Sequence, residues 1–167
     1  MDRDREYVEY VTARLPALHR AAYLLCGDGD RADDIVSATA MVLYRHWHRV
    51  RAADNIDAYV HRCLYRKFVQ ERRLRWARVV LTDRLPDRTS HPESGIEERQ
   101  VLRHALATLS TAQRTVLVLR YFCDLSIEEV ARLLHCSEGN VKSHSARGLA
   151  AMRRVLGPRV SELGRPE

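Results

Sequence analysis

The sequence has little cysteine, no long apolar run and no signal segment, and each absence excludes a class of protein. Its 167 residues include four cysteines that lie at least 13 residues apart and form no C-x-x-C pair. A disulfide framework or a structural zinc site is therefore not expected. No apolar stretch approaches the roughly 20 residues that span a bilayer, and the charged N-terminus precedes no apolar signal core. We expect a cytoplasmic protein with reduced thiols and no membrane partner.

Sequence motifs of catalysis are missing as well. The chain has no H-E-x-x-H metal site, no glycine-rich phosphate loop and no G-x-S-x-G nucleophile turn. His46 and His48 lie two positions apart on a predicted helix and therefore point in different directions. A zinc site at His135, Cys136 and His144 is a remote alternative because it lacks a fourth ligand. These motifs therefore give no support to an enzyme or metalloprotein, and we expect no catalytic residues, no metal and no cofactor.

Positive charge is present in excess and is unevenly distributed. The chain has 28 Lys and Arg against 22 Asp and Glu, for a formal net charge of +6. Between positions 62 and 78 there are seven basic residues and one acidic residue, Glu71. Residues 81–100 turn acidic and contain Pro86, Pro92 and Gly95, a composition typical of a linker. The pattern predicts two small basic domains joined by a polar tether.

Apolar residues three or four positions apart predict three helices in the first part of the chain. The first is expected to kink or restart at Pro16. The second is expected to begin with Asp30 as its cap and to run to about Val50, and the third to span about Ile56 to Arg78. The stripes expected to face the core are Val8, Val11, Leu15, Leu18, Ala22 and Leu25 in the first helix, Ile35, Ala38, Met41 or Val42, and Trp47 in the second, and Val60, Leu64 and Phe68 in the third.

A second helical set follows the acidic stretch and starts with a helix over about 96–108. Capping boxes at residues 110–113 and 126–129 mark two further helix starts, and Ser137 is a candidate cap for another. No alternation with a period of two is long enough to predict a strand. We therefore expect an all-α fold.

That fold consists of two small helical domains joined by a flexible linker. A three-helix bundle is expected over residues 5–79 and a linker over 80–95. A four-helix domain that contains a helix-turn-helix is expected over 96–157, followed from Arg159 by a frayed tail.

Residues 126–147 predict the helix-turn-helix itself. A short helix turns Ile127, Val130, Ala131 and Leu134 inward, a tight corner follows, and a second helix starts at residue 137. In such motifs the N-terminal residues of the second helix meet base edges in the major groove. The alternative is a helical hairpin with a solvated polar face. The candidate DNA-binding residues on the second helix are Asn140, Lys142, Ser143, His144 and Arg147.

Two parts of the chain resemble the extracytoplasmic-function group of the bacterial sigma factors. Residues 109–149 resemble region 4 through the core R-x-V-x-x-L-R-Y-x-x-x-x-S-x-x-E-V-A and the turn C-S-x-G-x-V-K-S. The first domain resembles region 2 through four segments: A-A-Y-L-L-C-G-D at 21–28, R-A-D-D-I-V at 31–36, W-H-R-V at 47–50 and Y-V-H-R-C-L at 59–64. Two matched regions in this order imply a detachable specificity subunit of RNA polymerase.

The resemblance also implies partners and roles. Region 2 would dock on a coiled coil of the polymerase β′ subunit and help to melt the minus-10 element of promoter DNA. Region 4 would read the minus-35 element, here with the five residues named above, and touch the β flap. An anti-sigma protein is a further expected partner. The implied polymerase-binding residues are Asp33, Asp34 and Ile35, and the implied minus-10 residues are Tyr65, Arg66, Lys67, Arg72, Arg73 and Trp76.

Several of these roles have alternatives. The two aspartates could simply stabilise a helix start, and the aromatics Tyr65 and Trp76 could be core residues rather than stacking platforms for bases. Arg120 could contact a phosphate or be a solvated arginine. A stand-alone helix-turn-helix regulator would use only residues 126–147 and would leave the first domain without a role.

Four positions named here depart from the common family pattern. Relatives often have Asn where this chain has Arg66, and aromatic residues near Glu71 and Arg72. His135 stands at the helix-turn-helix corner, where Gly is frequent, because a positive φ is easier for Gly than for His.

Overall fold

The computed structural model describes residues 2–82 and 97–157, with side chains over 2–78 and 100–157. These residues are almost entirely helical and include no strand, so the predicted all-α class is confirmed. The chain divides into two compact units, Met1–Pro92 and Glu93–Glu167. Most of the predicted linker over 80–95, and the predicted tail from Arg159, lie outside the described residues.

Unit 1 is a bundle of three long helices and one short helix. Its core contains the fully buried side chains of Leu18, Leu25, Ile35, Leu43 and Leu64. The predicted three-helix bundle is therefore present, with one extra helical turn. The helices are α1 (Asp2–Cys26), α2 (Gly29–Arg45), α3 (Trp47–Val50) and α4 (Ile56–Thr82).

Helix α1 differs from its prediction in two respects. It runs without a restart through Pro16. Its buried stripe includes Leu18, Ala22 and Leu25, whereas Val8 and Leu15 are 56% and 40% exposed. The predicted inward positions of Val8 and Leu15 are therefore wrong, whereas that of Val11, which is 7% exposed, is confirmed.

The second helix also differs from its prediction. Asp28, not Asp30, is the N-cap: its carboxylate accepts a hydrogen bond of 2.9 Å from the backbone N–H of Arg31. The helix ends at Arg45, and the following break allows α3 to bury Trp47, which is 1% exposed.

Of the two alternatives Met41 and Val42, Met41 is wrong, since its side chain is 61% exposed, whereas Val42 is partly buried. The buried stripe of α2 runs instead through Ile35, Thr39 and Leu43. This stripe leaves Met41 on the solvent side of the helix.

Unit 2 contains the four predicted helices and one element that the sequence did not predict. Both capping boxes are formed, by Ser110 with Gln113 and by Ser126 with Glu129. The unpredicted element is a π-helical turn, which inserts an extra residue between the second and third helices. The elements are α5 (Glu97–Ala107), α6 (Thr111–Leu117), the π turn (Val118–Phe122), α7 (Ile127–Leu134) and α8 (Glu138–Leu156).

Helices α6 and α8 approach each other closely at Gly148. A Cβ atom added to Gly148 would lie 2.9 Å from Leu117 Cδ1 and 3.1 Å from Leu117 Cγ. Leu117 is only 6% exposed and has little room to move. Because residue 148 has no side chain, α8 can pack this closely against α6.

We expect Gly148→Ala to lower the free energy of unfolding of unit 2. Overpacking a buried contact costs about 1–3 kcal/mol, and we expect this to outweigh the roughly 1 kcal/mol that alanine gains over glycine in helix propensity. Urea unfolding of the full chain, followed by circular dichroism, measures the change.

The matched control is Gly139→Ala on the same helix, where the new Cβ would meet only Ser137 Oγ at 3.7 Å. This variant should be at least as stable as the parent. Equal stability of the Gly148 and Gly139 variants would contradict the close packing of α6 on α8.

Candidate nucleic-acid and polymerase interfaces

The helix-turn-helix corner depends on a left-handed residue. His135 has φ 54° and ψ 45°, a conformation in which His is more common than most side chains but less favoured than Gly. The backbone N–H of Cys136 returns to the carbonyl of Ala131 at 3.0 Å, which closes α7. The chain thus makes the tight turn with a histidine, which adopts this conformation less readily than glycine does.

Helix α8 begins at a cap that the sequence predicted. The hydroxyl of Ser137 accepts a hydrogen bond of 3.1 Å from the backbone N–H of Asn140. The buried stripe of α8 consists of Val141, Ser145, Gly148 and Met152. This stripe fixes the rotation of the helix about its axis and so determines which residues face solvent.

The predicted minus-35 residues lie around the open side of α8. Asn140, Lys142, Ser143 and Arg147 are exposed, whereas His144 is partly buried. The outward face also holds small residues that the sequence analysis missed. Their signal was the helical spacing from the buried stripe, and small side chains allow a helix to approach base edges and thymine methyl groups closely. These missed residues are Gly139, Ala146 and Ala150.

Arg120 has an internal partner that neither sequence-based alternative anticipated. Its Nη1 donates a hydrogen bond of 2.6 Å to the carbonyl of Leu125, and its guanidinium lies over the ring of Tyr121 at 5.8 Å. Arg120 therefore fastens the π turn to the start of α7. The hydroxyl of Tyr121 in turn lies 3.5 Å from that of Ser145 on α8.

Helix α4 has a buried face and a basic face. Val60, Leu64 and Phe68 are at most 3% exposed, as predicted from their spacing. Trp76, eight positions after Phe68, is 71% exposed, so it is not a core residue of unit 1. Tyr65 is partly buried and lies 6.2 Å from the ring of Phe68.

The predicted minus-10 cations of α4 differ in their exposure to solvent. Arg66, Arg72 and Arg73 are exposed. Lys67 is partly buried, and its Nζ donates a hydrogen bond of 3.0 Å to the side chain of Gln70. Three of the four predicted minus-10 cations thus point away from the bundle.

An ion pair accounts for Glu71 at a position where relatives often have an aromatic residue. Both carboxylate oxygens of Glu71 accept from the guanidinium of Arg31 on α2, at 2.9 and 2.8 Å. The two side chains are only 21% and 22% exposed. Glu71 therefore ties α4 to α2, and it does not interrupt the outward basic face.

The candidate polymerase-binding residues divide into exposed and buried ones. Asp33 and Asp34 are exposed on α2, and Asp33 also pairs with His19 of α1 at 2.9 Å. Both lie beyond the first helical turn, where the helix dipole acts weakly, so stabilisation of the helix start explains them poorly. Ile35 is a correction: it is 1% exposed and belongs to the core. Met41 lies about two turns after Asp34 on the same face and was missed, because it was assigned to the core.

The described cysteines and histidines indicate no metal chemistry. Within residues 2–82 and 97–157 no group of three or more His, Cys, Asp or Glu side chains could hold a metal ion. Burial raises the pKa of the Cys26 and Cys63 thiols, and that of Cys123 to about 12, so these three thiols are poor nucleophiles. No described helix is long and apolar enough to cross a membrane.

Two family models match the two units in order. The model for sigma-70 region 2 matches residues 10–78, and that for sigma-70, region 4, matches residues 99–152. The RNA polymerase sigma-E factor of Streptomyces avermitilis is 34% identical over 152 residues, which are 90% of this chain and 85% of the relative. The ECF RNA polymerase sigma factor SigM of Mycobacterium tuberculosis is 32% identical over 146 residues, which are 84% and 71% of the two chains.

The fold is also similar to that of solved sigma factors. The sigma factor RpoE of Bartonella quintana, crystallised with the anti-sigma factor NepR, gives a TM-score of 0.77 at 25% identity. That match covers 92% of this chain and 98% of the other. CnrH, solved with the cytosolic domain of CnrY, gives a TM-score of 0.59 at 23% identity and supports the fold alone.

Two helical units with basic outer faces, one of which contains a helix-turn-helix, define a class of DNA-binding transcription proteins. The chain belongs to the sigma-70 family, within its extracytoplasmic-function group, as the region matches and relatives show. It directs RNA polymerase to promoters. The alternative of a stand-alone regulator is not favoured, because unit 1 also matches its family region.

We expect Glu71→Gln to destabilise unit 1. Glutamine cannot match the charge of Arg31 in a site that is about four-fifths buried, and loss of a charged hydrogen-bonded pair costs about 1–3 kcal/mol. Urea unfolding monitored by tryptophan fluorescence reports on unit 1 because Trp47 and Trp76, the chain's two tryptophans, both lie there.

The control is Glu9→Gln, which removes an exposed ion pair with Arg5 in the same unit, whose side chains are 67% and 81% exposed. Such pairs contribute less than about 1 kcal/mol. If both variants unfolded at the same urea concentration, Glu71 would not hold α4 to α2.

Proposed function

We propose that the two units divide promoter recognition between them. Residues 5–79 form the region that binds polymerase and opens the minus-10 element, and residues 96–157 form the region that reads the minus-35 element. Residues 80–95 act as the tether. The observation that carries this assignment is that α4 and α8 each bury one apolar stripe and turn a basic face to solvent.

Helix α8 is suited to duplex DNA. Asn140 and Ser143 offer donors and acceptors that fit base edges, while Lys142 and Arg147 offer the charges that fit phosphates. The helix starts at a capped N-terminus beside the α7 corner, which is the arrangement by which a recognition helix enters the major groove. Each cation that contacts a phosphate adds about 0.9 to the salt dependence of binding.

Helix α4 is suited to an opened strand. Melted DNA offers unstacked bases as well as phosphates, and an aromatic side chain contributes about 1–3 kcal/mol for each base that it stacks. Trp76 is the most exposed large apolar residue described in unit 1, and Arg72 and Arg73 precede it on the same helix. Tyr65, Arg66 and Lys67 complete the proposed minus-10 surface one to three turns earlier.

The outer face of α2 supplies the polymerase contact. Asp34 and Met41 present a carboxylate and an exposed apolar side chain on one face, and Asp33 lies beside them. Such a mixed face can pair with a helix that carries basic and apolar residues, as a coiled coil of the β′ subunit would. Unit 2 would touch the β flap in the same assembly.

The further partners follow from the family. The similar sigma factor RpoE of Bartonella quintana was crystallised with the anti-sigma factor NepR, which supports an anti-sigma partner for this chain too. Catalysis would remain with core polymerase in the cytoplasm, and this chain would supply specificity without an active site.

Run-off transcription by reconstituted holoenzyme on a library of genomic fragments tests the proposal and identifies the promoter. A chain that bound promoter DNA but neither associated with core polymerase nor supported initiation would instead fit the stand-alone regulator.

We expect Asp33→Lys/Asp34→Lys to abolish stable association with core polymerase, because it reverses the charge of the proposed docking face. Asp4→Lys/Asp54→Lys makes the same change in net charge at exposed positions outside that face and should leave association intact. Pull-down of core enzyme by the tagged chain measures both. Equal binding of core polymerase by the two double variants would show that this face of α2 is not part of the interface.

We expect Trp76→Ala to reduce promoter opening by roughly five- to 150-fold, the equivalent of one lost stacking contact of about 1–3 kcal/mol. Fluorescence of 2-aminopurine placed in the minus-10 element reports opening by the holoenzyme. Leu74→Ala is the control, because Leu74 is 57% exposed on the same helix but lies two positions away and faces another side. An identical loss in both variants would indicate damage to the helix rather than a stacking role.

A further inference from the structure

His61 is a partly buried histidine of unit 1 that has no role in the proposed interfaces. It lies on α4 between Val60 and Leu64, which are both only 1% exposed. Its Nδ1 is fully buried and has no hydrogen-bond partner among the described residues. The ring is therefore a titratable group that lies partly inside the helical bundle.

The carboxylate nearest to His61 along α4 is already paired with α1. Asp57 lies one turn before His61, and its Oδ1 accepts hydrogen bonds from the hydroxyl of Tyr10 and, at 3.0 Å, from Nε of Arg14. Its Oδ2 accepts from Nη2 of Arg14 at 2.9 Å. Burial, together with the hydrogen bond to Asp57, raises the pKa of Tyr10 to about 12, so this hydroxyl stays a donor. Asp57 thus joins α4 to α1 with its charge balanced by Arg14.

Burial makes the charged form of His61 unfavourable. Removal of the ring from water is the largest effect and lowers its pKa from the ordinary value of about 6.5. The backbone carbonyl of Asp57, although not hydrogen-bonded to Nδ1, and its carboxylate favour the charged ring, whereas the cation of Arg14 opposes it. Helices α2 and α3 also pack against α4, and no charged group in their described residues adds to these effects.

This lowered pKa links protonation of His61 to the packing of unit 1. The unfolded chain takes up the proton at a higher pH than the folded bundle does. The stability that the neutral ring provides is therefore fully present above about pH 6.5 and is lost as the pH falls below that value. A proton on the ring also places a second cation near Arg14, at the contact where Asp57 holds α4 to α1.

We propose that the α1–α4 contact around His61 is an acid-sensitive joint of unit 1, which loosens when the ring takes up a proton in mildly acidic solution. Helix α4 also presents the proposed minus-10 surface, so loosening of the joint reduces promoter opening. This second step rests on the proposed function of α4, whereas the first step concerns the stability of unit 1 alone.

The pH dependence of unfolding tests the first step in the full chain. His61→Gln keeps a polar side chain that cannot take up a proton, and His48→Gln makes the same change at an exposed position of the same unit. Urea unfolding between about pH 7.5 and pH 5.5, followed by tryptophan fluorescence, gives the folding equilibrium constant of unit 1, which contains both tryptophans.

We expect this constant to fall more steeply with acidification in the parent than in His61→Gln. The difference is at most about tenfold per pH unit, the effect of one proton bound differently by the two states. His48→Gln should follow the parent. Parallel curves for the parent and His61→Gln would overturn the proposal.

A titration of the parent chain keeps the test decisive if His61→Gln does not fold. NMR signals of the imidazole ring give the pH at which His61 takes up its proton in the native chain and in the chain unfolded by urea. A lower value in the native chain is expected. The same value in both states, or a higher value in the native chain, would overturn the proposal.

Promoter opening tests the second step. Holoenzymes that contain the parent, His61→Gln or His48→Gln are compared by 2-aminopurine fluorescence at about pH 7.5 and pH 6. The fraction of opening that is retained on acidification is compared, because core polymerase has a pH dependence of its own. We expect His61→Gln to retain more than the other two. Equal retention by all three would overturn the link between the joint and promoter opening, whereas absence of opening by the parent at either pH would overturn the proposed function.

Discussion

Burial of a single apolar stripe on each DNA-facing helix is the constraint on which the proposed interfaces depend. A helix presents one side to its core, and the residues opposite that side must face solvent. On α4 the side chains of Val60, Leu64 and Phe68 are buried, Arg66 is exposed on the same stretch, and beyond Glu71 every described residue except Arg75 is exposed, including Trp76. On α8 the stripe of small and apolar residues, packed against α6 at Gly148, turns the recognition surface outward. Packing within each unit thus determines the orientation of both proposed interfaces, and the proposed contact residues of α4 and α8 all lie on helices.

The residues that depart from the family pattern make contacts within their own unit, and the exposed basic faces of α4 and α8 stay intact. Glu71 lies within the basic stretch of α4, yet its carboxylate is occupied by Arg31 and its charge is neutralised inside the bundle. His135 replaces a common glycine and still adopts the left-handed conformation that the corner requires. Arg120, which could have been a free cation, holds the π turn to Leu125. In each case a polar residue takes an intramolecular role that its position in the sequence alone does not reveal.

Much of the fold could be predicted from local chemistry. The capping boxes at Ser110 and Ser126 marked helix starts because their hydrogen bonds close within one turn. Predictions that depended on contacts between helices did less well. The apolar stripe of α2 offered Met41 or Val42 as a core residue and did not show which of them the neighbouring helices cover. It correctly placed Ile35 in the core, where the side chain is 1% exposed, although the resemblance had implied that Ile35 binds polymerase. The π turn has no comparable local signal.

The central claim is that α4 meets opened DNA near the minus-10 element while α8 meets duplex DNA at the minus-35 element of the same promoter. Site-specific photo-cross-linking tests it most directly, with a photoreactive amino acid in place of Ala77 or Ala146. Both alanines are exposed and lie beside the proposed contact residues. In holoenzyme bound to a promoter, the probe at 77 should cross-link to DNA around minus-10 and the probe at 146 to DNA around minus-35. Cross-links to the opposite elements, or to no DNA from either position, would contradict the account.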